Sequence, residues 1–301
     1  MTGLAPRVAG APITWGVCEV PDWGCQLGRD RVLEEAAGLG LRAIELGPQG
    51  FLPNEPHLVK RALEPYDLTL VAGFVPAVLH RREVQDEVLQ ATAAAVDTLA
   101  GAGATVLVLA AELGNGGYER SAELSEPEWA VLLDGLERVR EVAAGRGLEV
   151  ALHPHHGTAI ERPHHVERVL SGSAISLCLD TGHLMVGGAD PVEVTRAAKG
   201  RIAHVHLKDV NASLSEQVRR GEVGYRQAVA GGLYRPLGEG DAGIDRVLAL
   251  LEGWGYAGWY VLEQDVVLSR EPPAGAGPVV SARRSLDYFH RVMGACRSST
   301  S

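Results

Sequence analysis

The chain has 301 residues, of which 46% are hydrophobic and 22% are charged, and its formal net charge is −10 at pH 7. This length allows a large buried core within one domain, and the composition is typical of a globular enzyme rather than a disordered or fibrous chain. The excess of acidic side chains repels phosphate backbones, which excludes nucleic acid as the expected partner.

Eight short apolar segments, rich in Val, Ile or Leu and bounded by Gly, Pro or polar residues, predict β-strands. In chain order these strands are Ala11–Trp15, Arg42–Leu46, Thr69–Phe74, Thr105–Ala110, Glu149–His153, Ile175–Asp180, Ile202–Lys208 and Gly258–Glu263. Longer segments with helical periodicity lie between them, and several of these end near a glycine. The clearest are Arg29–Gly40, Glu83–Gly101, Ser125–Gly145, Ile244–Trp254 and Ala282–Met293.

Strict alternation of strands and helices predicts an α/β fold with a parallel sheet and right-handed crossovers. Eight such units favour a single (β/α)8 TIM barrel over an open doubly wound sheet, which remains the alternative. We expect the catalytic barrel to span residues 1–296 and residues 297–301 to form a disordered tail.

Two connections between the predicted strands stand out. The segment from Asp209 to Gly240 is too long for a structureless loop, so we expect a partial lid with some helix of its own. It contains Tyr225, Arg226, Tyr234 and Arg235. The segment Gly114–Gly117 matches neither a dinucleotide-binding nor a P-loop pattern, and we interpret it as a flexible loop.

The cysteines and the N-terminus bear on localisation. Cys18, Cys25, Cys178 and Cys296 form no CxxC pair and no disulfide-framework spacing. They are therefore interpreted as reduced thiols, which predicts a cytoplasmic protein. The first ten residues lack the apolar run of a secretory signal, and no segment approaches the length of a membrane span.

Ionisable side chains are concentrated at the predicted strand ends of the second half of the chain. In a barrel these carboxyl-terminal ends converge on the active site. Four successive strands each offer one metal-ligand type, and these residues are His153, Asp180, His206 and Glu263. Because side chains alternate along a strand, His204, His206 and Lys208 share one face. Two imidazoles and two carboxylates suit Mn²⁺, Co²⁺, Fe²⁺ or Zn²⁺ better than Mg²⁺.

Each of these residues also has a structural interpretation. Asp180 could cap a turn, Glu263 could pair with an arginine, and His204 is interpreted as a structural or supporting residue. However, buried ionisable groups are costly unless they are paired or bound to metal. Four of them on one rim therefore favour a shared divalent cation.

These residues lie in motifs that resemble the xylose isomerase-like TIM-barrel superfamily, and within it the inosose dehydratases. The resemblance spans nearly the whole barrel. The segments that carry it are Ala11–Trp15, Glu45–Gly47, Phe51–Pro53, His153–Thr158, Leu179–His183, His204–Val210, Pro236–Gly240 and Gly258–Glu263. The histidine-rich run His153–Gly157 points to the dehydratase branch. In related ketose epimerases the strand-five ligand is a glutamate, so His153 disfavours an epimerase mechanism with paired glutamates.

The resemblance implies that His153, Asp180, His206 and Glu263 bind one divalent metal ion, Mn²⁺ or Co²⁺ by preference. It implies a hydro-lyase that removes water from a keto-inositol, scyllo-inosose, in inositol catabolism. Because a proton must leave the carbon next to the ketone, a base with a pKa near neutrality is needed, and histidine suits this role. The roles assigned on this basis are a base for His155, orientation of oxygens or protonation of the departing hydroxide for His183 and Lys208, and a hydrogen bond to a ring hydroxyl for Glu45. The roles of His155 and His183 could be exchanged.

Other functions remain open at this point. The resemblance also makes glutathione a candidate cofactor, although no segment of the sequence indicates a site for it. A sugar isomerase or epimerase and a dehydratase of another keto-sugar share the barrel and the metal. An endonuclease IV-like repair enzyme is disfavoured by the acidic charge, and a non-enzymatic binding barrel by the presence of the ligand set. The expected partner is a small polyhydroxylated ketone, and assembly into a homo-oligomer is left open.

Overall fold

Nine parallel strands form a nearly closed barrel with helices around it in the computed structural model of the chain, which describes residues 7–114, 117–119 and 121–298. The barrel strands are β1 (Arg7–Gly10), β2 (Ala43–Ile44), β3 (Thr69–Leu70), β4 (Ala72–Ala77), β5 (Val106–Ala111), β6 (Glu149–Leu152), β7 (Ser176–Asp180), β8 (Ile202–Leu207) and β11 (Trp259–Leu262). A separate antiparallel ribbon is formed by β9 (Asp209–Val210) and β10 (Tyr234–Arg235).

The barrel has eight strand positions, because β3 and β4 are two parts of one strand. β3 pairs with β2, and β4 pairs with β5. Val71 lies between them, donates its N–H to the Ile44 carbonyl and accepts a hydrogen bond from the N–H of Thr105. One residue thus connects the two ends of the sheet. The prediction of a TIM barrel is confirmed.

Helices follow the strands and cover the barrel. They are α1 (Arg29–Gly38), α2 (Pro56–Leu63), α3 (Arg82–Ala102), α4 (Glu126–Ala144), α5 (Pro163–Gly172), α6 (Thr181–Val186), α7 (Pro191–Ala197), α8 (Ala212–Arg219), α9 (Tyr225–Ala230), α10 (Ile244–Gly253) and α11 (Pro278–Ser298). The predicted capping box at the start of α4 is present, with the Glu128 carboxylate accepting the Ser125 N–H at 2.7 Å. No helix in the described part of the chain is both long enough and apolar enough to cross a membrane.

Two core layers hold the barrel together. Large apolar side chains such as Leu107, Leu109 and Leu152 lie on the outer faces of the strands and pack against the helices. The barrel interior instead contains small or branched residues, among them Ala9, Ala43, Ala72, Val108, Ala151, Cys178 and Val261. This filled interior is typical of TIM barrels and leaves the carboxyl-terminal mouth as the open end.

The first predicted strand was wrong in position. The strand occupies Arg7–Gly10, and Pro12–Trp15 form a 3₁₀ turn instead. Pro12 lacks the N–H that a strand needs and fixes a helical φ, and Gly16 ends the turn in the left-handed region at φ 79°. The predicted disordered tail also began too early, because α11 continues through Arg297 and Ser298. Residues 299–301 lie outside the described range.

The long connection after β8 has its own structure, as expected, with α8, α9 and the β9–β10 ribbon. Its return segment is held by Asp209. The two carboxylate oxygens of this buried residue accept N–H groups from Gly238 at 2.8 Å, Gly240 at 3.1 Å and Ala242 at 3.0 Å. Asp209 therefore has a structural role. For the loop predicted at Gly114–Gly117, Asn115 and Gly116 lie outside the described residues.

Candidate active site

Asp180 lies at the end of β7 and faces both the next helix and the barrel mouth. Its Oδ1 accepts the N–H of His183 at 2.7 Å and caps α6. Its Oδ2 is 3.0 Å from His153 Nε2 and 3.5 Å from His206 Nδ1. All three side chains are buried. Burial opposes ionisation of Asp180, but the Lys208 ammonium lowers the pKa of this carboxyl well below its usual range. Oδ1 of Asp180 thus stabilises the start of α6, and Oδ2 faces the histidines of the barrel mouth.

His206 on β8 is oriented by a carboxylate on the opposite side of the barrel. Its Nε2 donates to Glu45 Oε1 at 3.0 Å, and His204 Nε2 donates to the same oxygen at 2.8 Å. A carboxylate accepts hydrogen bonds, so Nε2 of His206 carries a proton and Nδ1 is the nitrogen left for a ligand. This Nδ1 is 3.3 Å from Glu263 Oε2. It is buried and has no hydrogen-bond partner among the described residues.

Glu263 follows β11 and forms an ion pair with Lys208. The Lys208 ammonium is 2.9 Å from Glu263 Oε2, 3.0 Å from Asp265 Oδ1 and 3.4 Å from Asp180 Oδ2. Burial raises the pKa of both Glu263 and Asp265. The buried centre thus brings the four carboxyl groups of Glu45, Asp180, Glu263 and Asp265 around the Lys208 ammonium and the His206 imidazole. Burial opposes protonation of His206, but Cys178, Glu263 and Glu45 raise its pKa well above the usual value.

The four residues predicted as metal ligands therefore come together on one side of the barrel mouth. The ligand-type atoms of Asp180, His206 and Glu263 lie within 4.8 Å of one another, as do those of His153, Asp180 and His183. The unpartnered Nδ1 of His206 and the excess of buried carboxylates fit a divalent cation. Burial lowers the pKa of His153 to about 4, which keeps its imidazole in the neutral form that binds metal.

His155 and His183 form a second pair beside this centre, with ring centroids 3.8 Å apart. His155 Nδ1 is 2.7 Å from the carbonyl oxygen of His156, so Nδ1 carries the proton and Nε2 holds the lone pair. His183 is the opposite case. Its Nδ1 accepts the N–H of His156 at 3.3 Å, so its Nε2 carries the proton. The pair thus presents one basic nitrogen and one N–H donor.

The tautomer also separates His183 from the metal ligands. His183 Nε2 is buried and has no partner within the described part of the chain, but a protonated nitrogen cannot bind a cation. Burial lowers the pKa of both His155 and His183 well below the usual range, and the Lys208 ammonium lowers both further. Both imidazoles are therefore neutral at pH 7.

A glycine allows Lys208 to reach the centre. A Cβ at Gly182 would lie 2.5 Å from Lys208 Cβ and 2.9 Å from a ring carbon of Tyr234, a distance that side chains do not tolerate. This explains the glycine of the Asp180–His183 motif. Lys208 then lies 5.4 Å from the centroid of the Tyr234 ring.

A cavity of about 700 Å³ opens at this site. The ionisable side chains that line it include Glu45, His153, His155, His206, Lys208 and Glu263. Six of the eight predicted site residues thus line this cavity, and the other two, Asp180 and His183, directly contact residues that do. His183 lies behind His155, against which its ring packs.

Several residues at the site were not predicted from the sequence. Asp265 contacts Lys208, and Tyr225 donates to Asp265 Oδ2 at 3.2 Å. The spacing of Asp265 two residues after Glu263 was an available signal, because alternation places both on one face. His204 contacts Glu45 and, among the described residues predicted as metal ligands, contacts only His206, which fits a supporting residue. Oε1 of Glu45 is occupied by the two histidines, so the expected bond from Glu45 to a substrate hydroxyl would have to use Oε2.

The fold and the site together define the family. Residues 33–286 match the model of the xylose isomerase-like TIM barrel family. The chain belongs to this family, and its buried His, Asp and Glu groups could hold a metal ion.

The relatives indicate a particular branch of the family. The chain is 30% identical over 295 residues to the inosose dehydratase of Geobacillus thermodenitrificans (strain NG80-2), which covers 94% of this chain and 96% of the relative. It is 28% identical over 295 residues to the inosose dehydratase of Bacillus cereus (strain AH820), with the same coverage of 94% and 96%. These names support an enzyme of the dehydratase type.

Solved structures agree on the fold. An L-ribulose 3-epimerase superposes with a TM-score of 0.71 at 15% identity, covering 98% of this chain and 97% of the epimerase. A probable 3-DHS dehydratase from Bacillus anthracis gives a TM-score of 0.68 at 15% identity, with coverage of 94% and 98%. An epimerase and a probable dehydratase thus share this fold.

Proposed function

We propose that the protein is a metal-dependent hydro-lyase that removes water from a keto-inositol, scyllo-inosose, in inositol catabolism. The observation that carries this proposal is the adjacent pair His155 and His183, one with a lone-pair nitrogen and the other with an N–H donor, beside a carboxylate-rich centre. The relatives that match nearly the full length of the chain are inosose dehydratases, which supports the substrate.

The reaction makes two demands on these residues. The C–H bond next to the ketone breaks, the C–O bond one carbon further breaks, and the proton and hydroxide leave as water. The resulting enol then tautomerises to a cyclic dione. A base must take the first proton, a donor must assist the departing hydroxide, and negative charge on the ketone oxygen must be stabilised.

The chain supplies a group for each demand. His155 takes the proton through Nε2, since its Nδ1–H is held by the His156 carbonyl. The Nε2–H of His183 and the ammonium of Lys208 are the donors that orient oxygens and assist the leaving hydroxide. Glu45 holds His206 in the orientation that exposes Nδ1.

His153, Asp180, His206 and Glu263 would hold the cation. Two imidazoles and two carboxylates suit Mn²⁺, Co²⁺, Fe²⁺ or Zn²⁺, and the resemblance to inosose dehydratases favours Mn²⁺ or Co²⁺ among them. When bound, it would supply Lewis-acid stabilisation of the charge that develops on the ketone oxygen. An epimerase that works with two glutamates would need a second one at the position of His153, and His153 instead lies 3.0 Å from Asp180.

Turnover is the test. Protein supplied with Mn²⁺ or Co²⁺ should convert scyllo-inosose to a product with the ultraviolet absorption of an enolised dione and with the mass of the substrate less one water. Metal removal by a chelator should stop the reaction, and added metal should restore it. Turnover of another keto-sugar with loss of water would reassign the substrate. Isomerisation of a ketose without loss of water would refute the dehydratase assignment.

A further inference from the structure

Glu161 is a buried carboxylate that no step of the reaction above uses. It lies in the loop between β6 and α5 and is 4% exposed. One oxygen, Oε1, is 2.7 Å from His156 Nδ1, and the other, Oε2, accepts the N–H of Gly157 at 3.2 Å. Burial would raise the pKa of this carboxyl, but His156 and the Gly157 N–H lower it. Glu161 is therefore an ionised carboxylate that holds two consecutive residues, His156 and Gly157, by hydrogen bonds.

The main chain of His156 lies between the two histidines of the site. Its carbonyl accepts from His155 Nδ1 at 2.7 Å, and its N–H donates to His183 Nδ1 at 3.3 Å. The same residue therefore offers one acceptor and one donor to two imidazoles. This polarity imposes opposite tautomers, with the proton on Nδ1 in His155 and on Nε2 in His183.

The loop around His156 is packed so that few other conformations are available. The His156 ring lies 4.5 Å from the ring of Tyr225, measured between centroids. Gly157 has a φ of 72°, and a Cβ there would lie 2.3 Å from the carbonyl oxygen of Tyr118. The Thr158 hydroxyl donates to the His155 carbonyl at 2.8 Å. Glu161 provides the charged contact in this arrangement.

We propose that Glu161 is a positioning residue that fixes opposite tautomers in His155 and His183 by holding the peptide groups of His156. The catalytic part of this inference rests on the proposed function, whereas the tautomer part does not. Glu161 touches neither His155 nor His183 in any described contact, so it acts on them through its contacts with His156 and Gly157. A carboxylate is needed because both of its oxygens accept hydrogen bonds, which a glutamine amide cannot match.

Nitrogen-15 NMR of the imidazoles tests the tautomer part without any activity. In protein loaded with diamagnetic Zn²⁺, His155 should show a protonated Nδ1 and a bare Nε2, and His183 the reverse, with signals assigned through His155→Gln and His183→Gln. In Glu161→Gln this asymmetry should be lost, with both rings sampling two tautomers. The same tautomer in both rings of the wild type would overturn the proposal, as would an unchanged pattern in Glu161→Gln.

Kinetics tests the catalytic part. On scyllo-inosose, Glu161→Gln should lower kcat about 10- to 100-fold with KM changed less than about threefold. The reason is that the correct tautomers of His155 and His183 are needed for proton transfer in the transition state more than for substrate binding. The matched control is Glu167→Gln on the exposed side of α5, which should leave kcat unchanged. If Glu161→Gln folds poorly, His156→Phe is the second variant. It keeps a ring against Tyr225 and removes the imidazole contact to Glu161, so it should show the same loss of kcat. Wild-type kcat in both Glu161→Gln and His156→Phe overturns the proposal. A wild type that shows the opposite tautomers but no turnover of scyllo-inosose instead refutes the proposed substrate.

Discussion

Asp180→Asn is expected to lower the affinity for Mn²⁺ or Co²⁺ by more than about 100-fold and the dehydration rate by at least about 1000-fold. The amide can still cap α6, because its oxygen can accept the His183 N–H as Oδ1 does now. It cannot replace the charge of Oδ2, the atom that lies closest to His153 and also near His206 and Lys208. The loss should therefore fall on the metal and leave the fold intact, as measured by calorimetric metal titration and thermal unfolding.

The matched control for this substitution is Asp190→Asn. Asp190 caps α7 by accepting the N–H of Val192 at 2.8 Å and has no part in the buried centre. The two variants make the same chemical change at two helix N-caps. Unaltered metal affinity in Asp180→Asn, or an equal loss in Asp190→Asn, would contradict the ligand role of Asp180.

His155→Gln is expected to lower kcat by about 100- to 10,000-fold, the range for loss of a general base. Metal affinity and KM should stay within about threefold of wild type, because the base acts in the transition state. The variant should also lose exchange of the α-proton of scyllo-inosose with D₂O, measured by proton NMR. This second readout isolates the first bond-breaking step from the loss of water.

His290→Gln, at an exposed position of α11, is the control and should behave as wild type in both assays. Should His155→Gln keep rapid α-proton exchange while losing dehydration, His155 would instead act on the leaving hydroxide. In that case His183 would become the candidate base, and the tautomers described here would have to be reversed.

Much of this site could be predicted from the sequence, because strand alternation fixes the face on which a side chain lies and barrel topology fixes the end at which the strands converge. Alternation alone predicts that His204, His206 and Lys208 lie on one face. In the structure, the side chains of all three residues make contacts inside the barrel. Likewise, parallel strands that end at one rim bring Asp180 and Glu263 near the same histidine. These consequences depend on period and connectivity, which a sequence contains.

Other features depend on distances across the fold, which a sequence does not contain. The contact of Glu45 with His206 joins residues 161 positions apart, and nothing local to either residue indicates it. The tautomers of His155 and His183 depend on the exact course of the loop at His156. The displaced first strand has a local cause in Pro12, which could have been recognised as the start of a turn.

Anomalous scattering from a crystal grown with Mn²⁺ or Co²⁺ tests the central claim most directly. The account predicts one peak per chain, within bonding distance of His153 Nε2, Asp180 Oδ2, His206 Nδ1 and Glu263 Oε2. A peak bound by other residues, or no peak in protein that is saturated with the metal in solution, would contradict it.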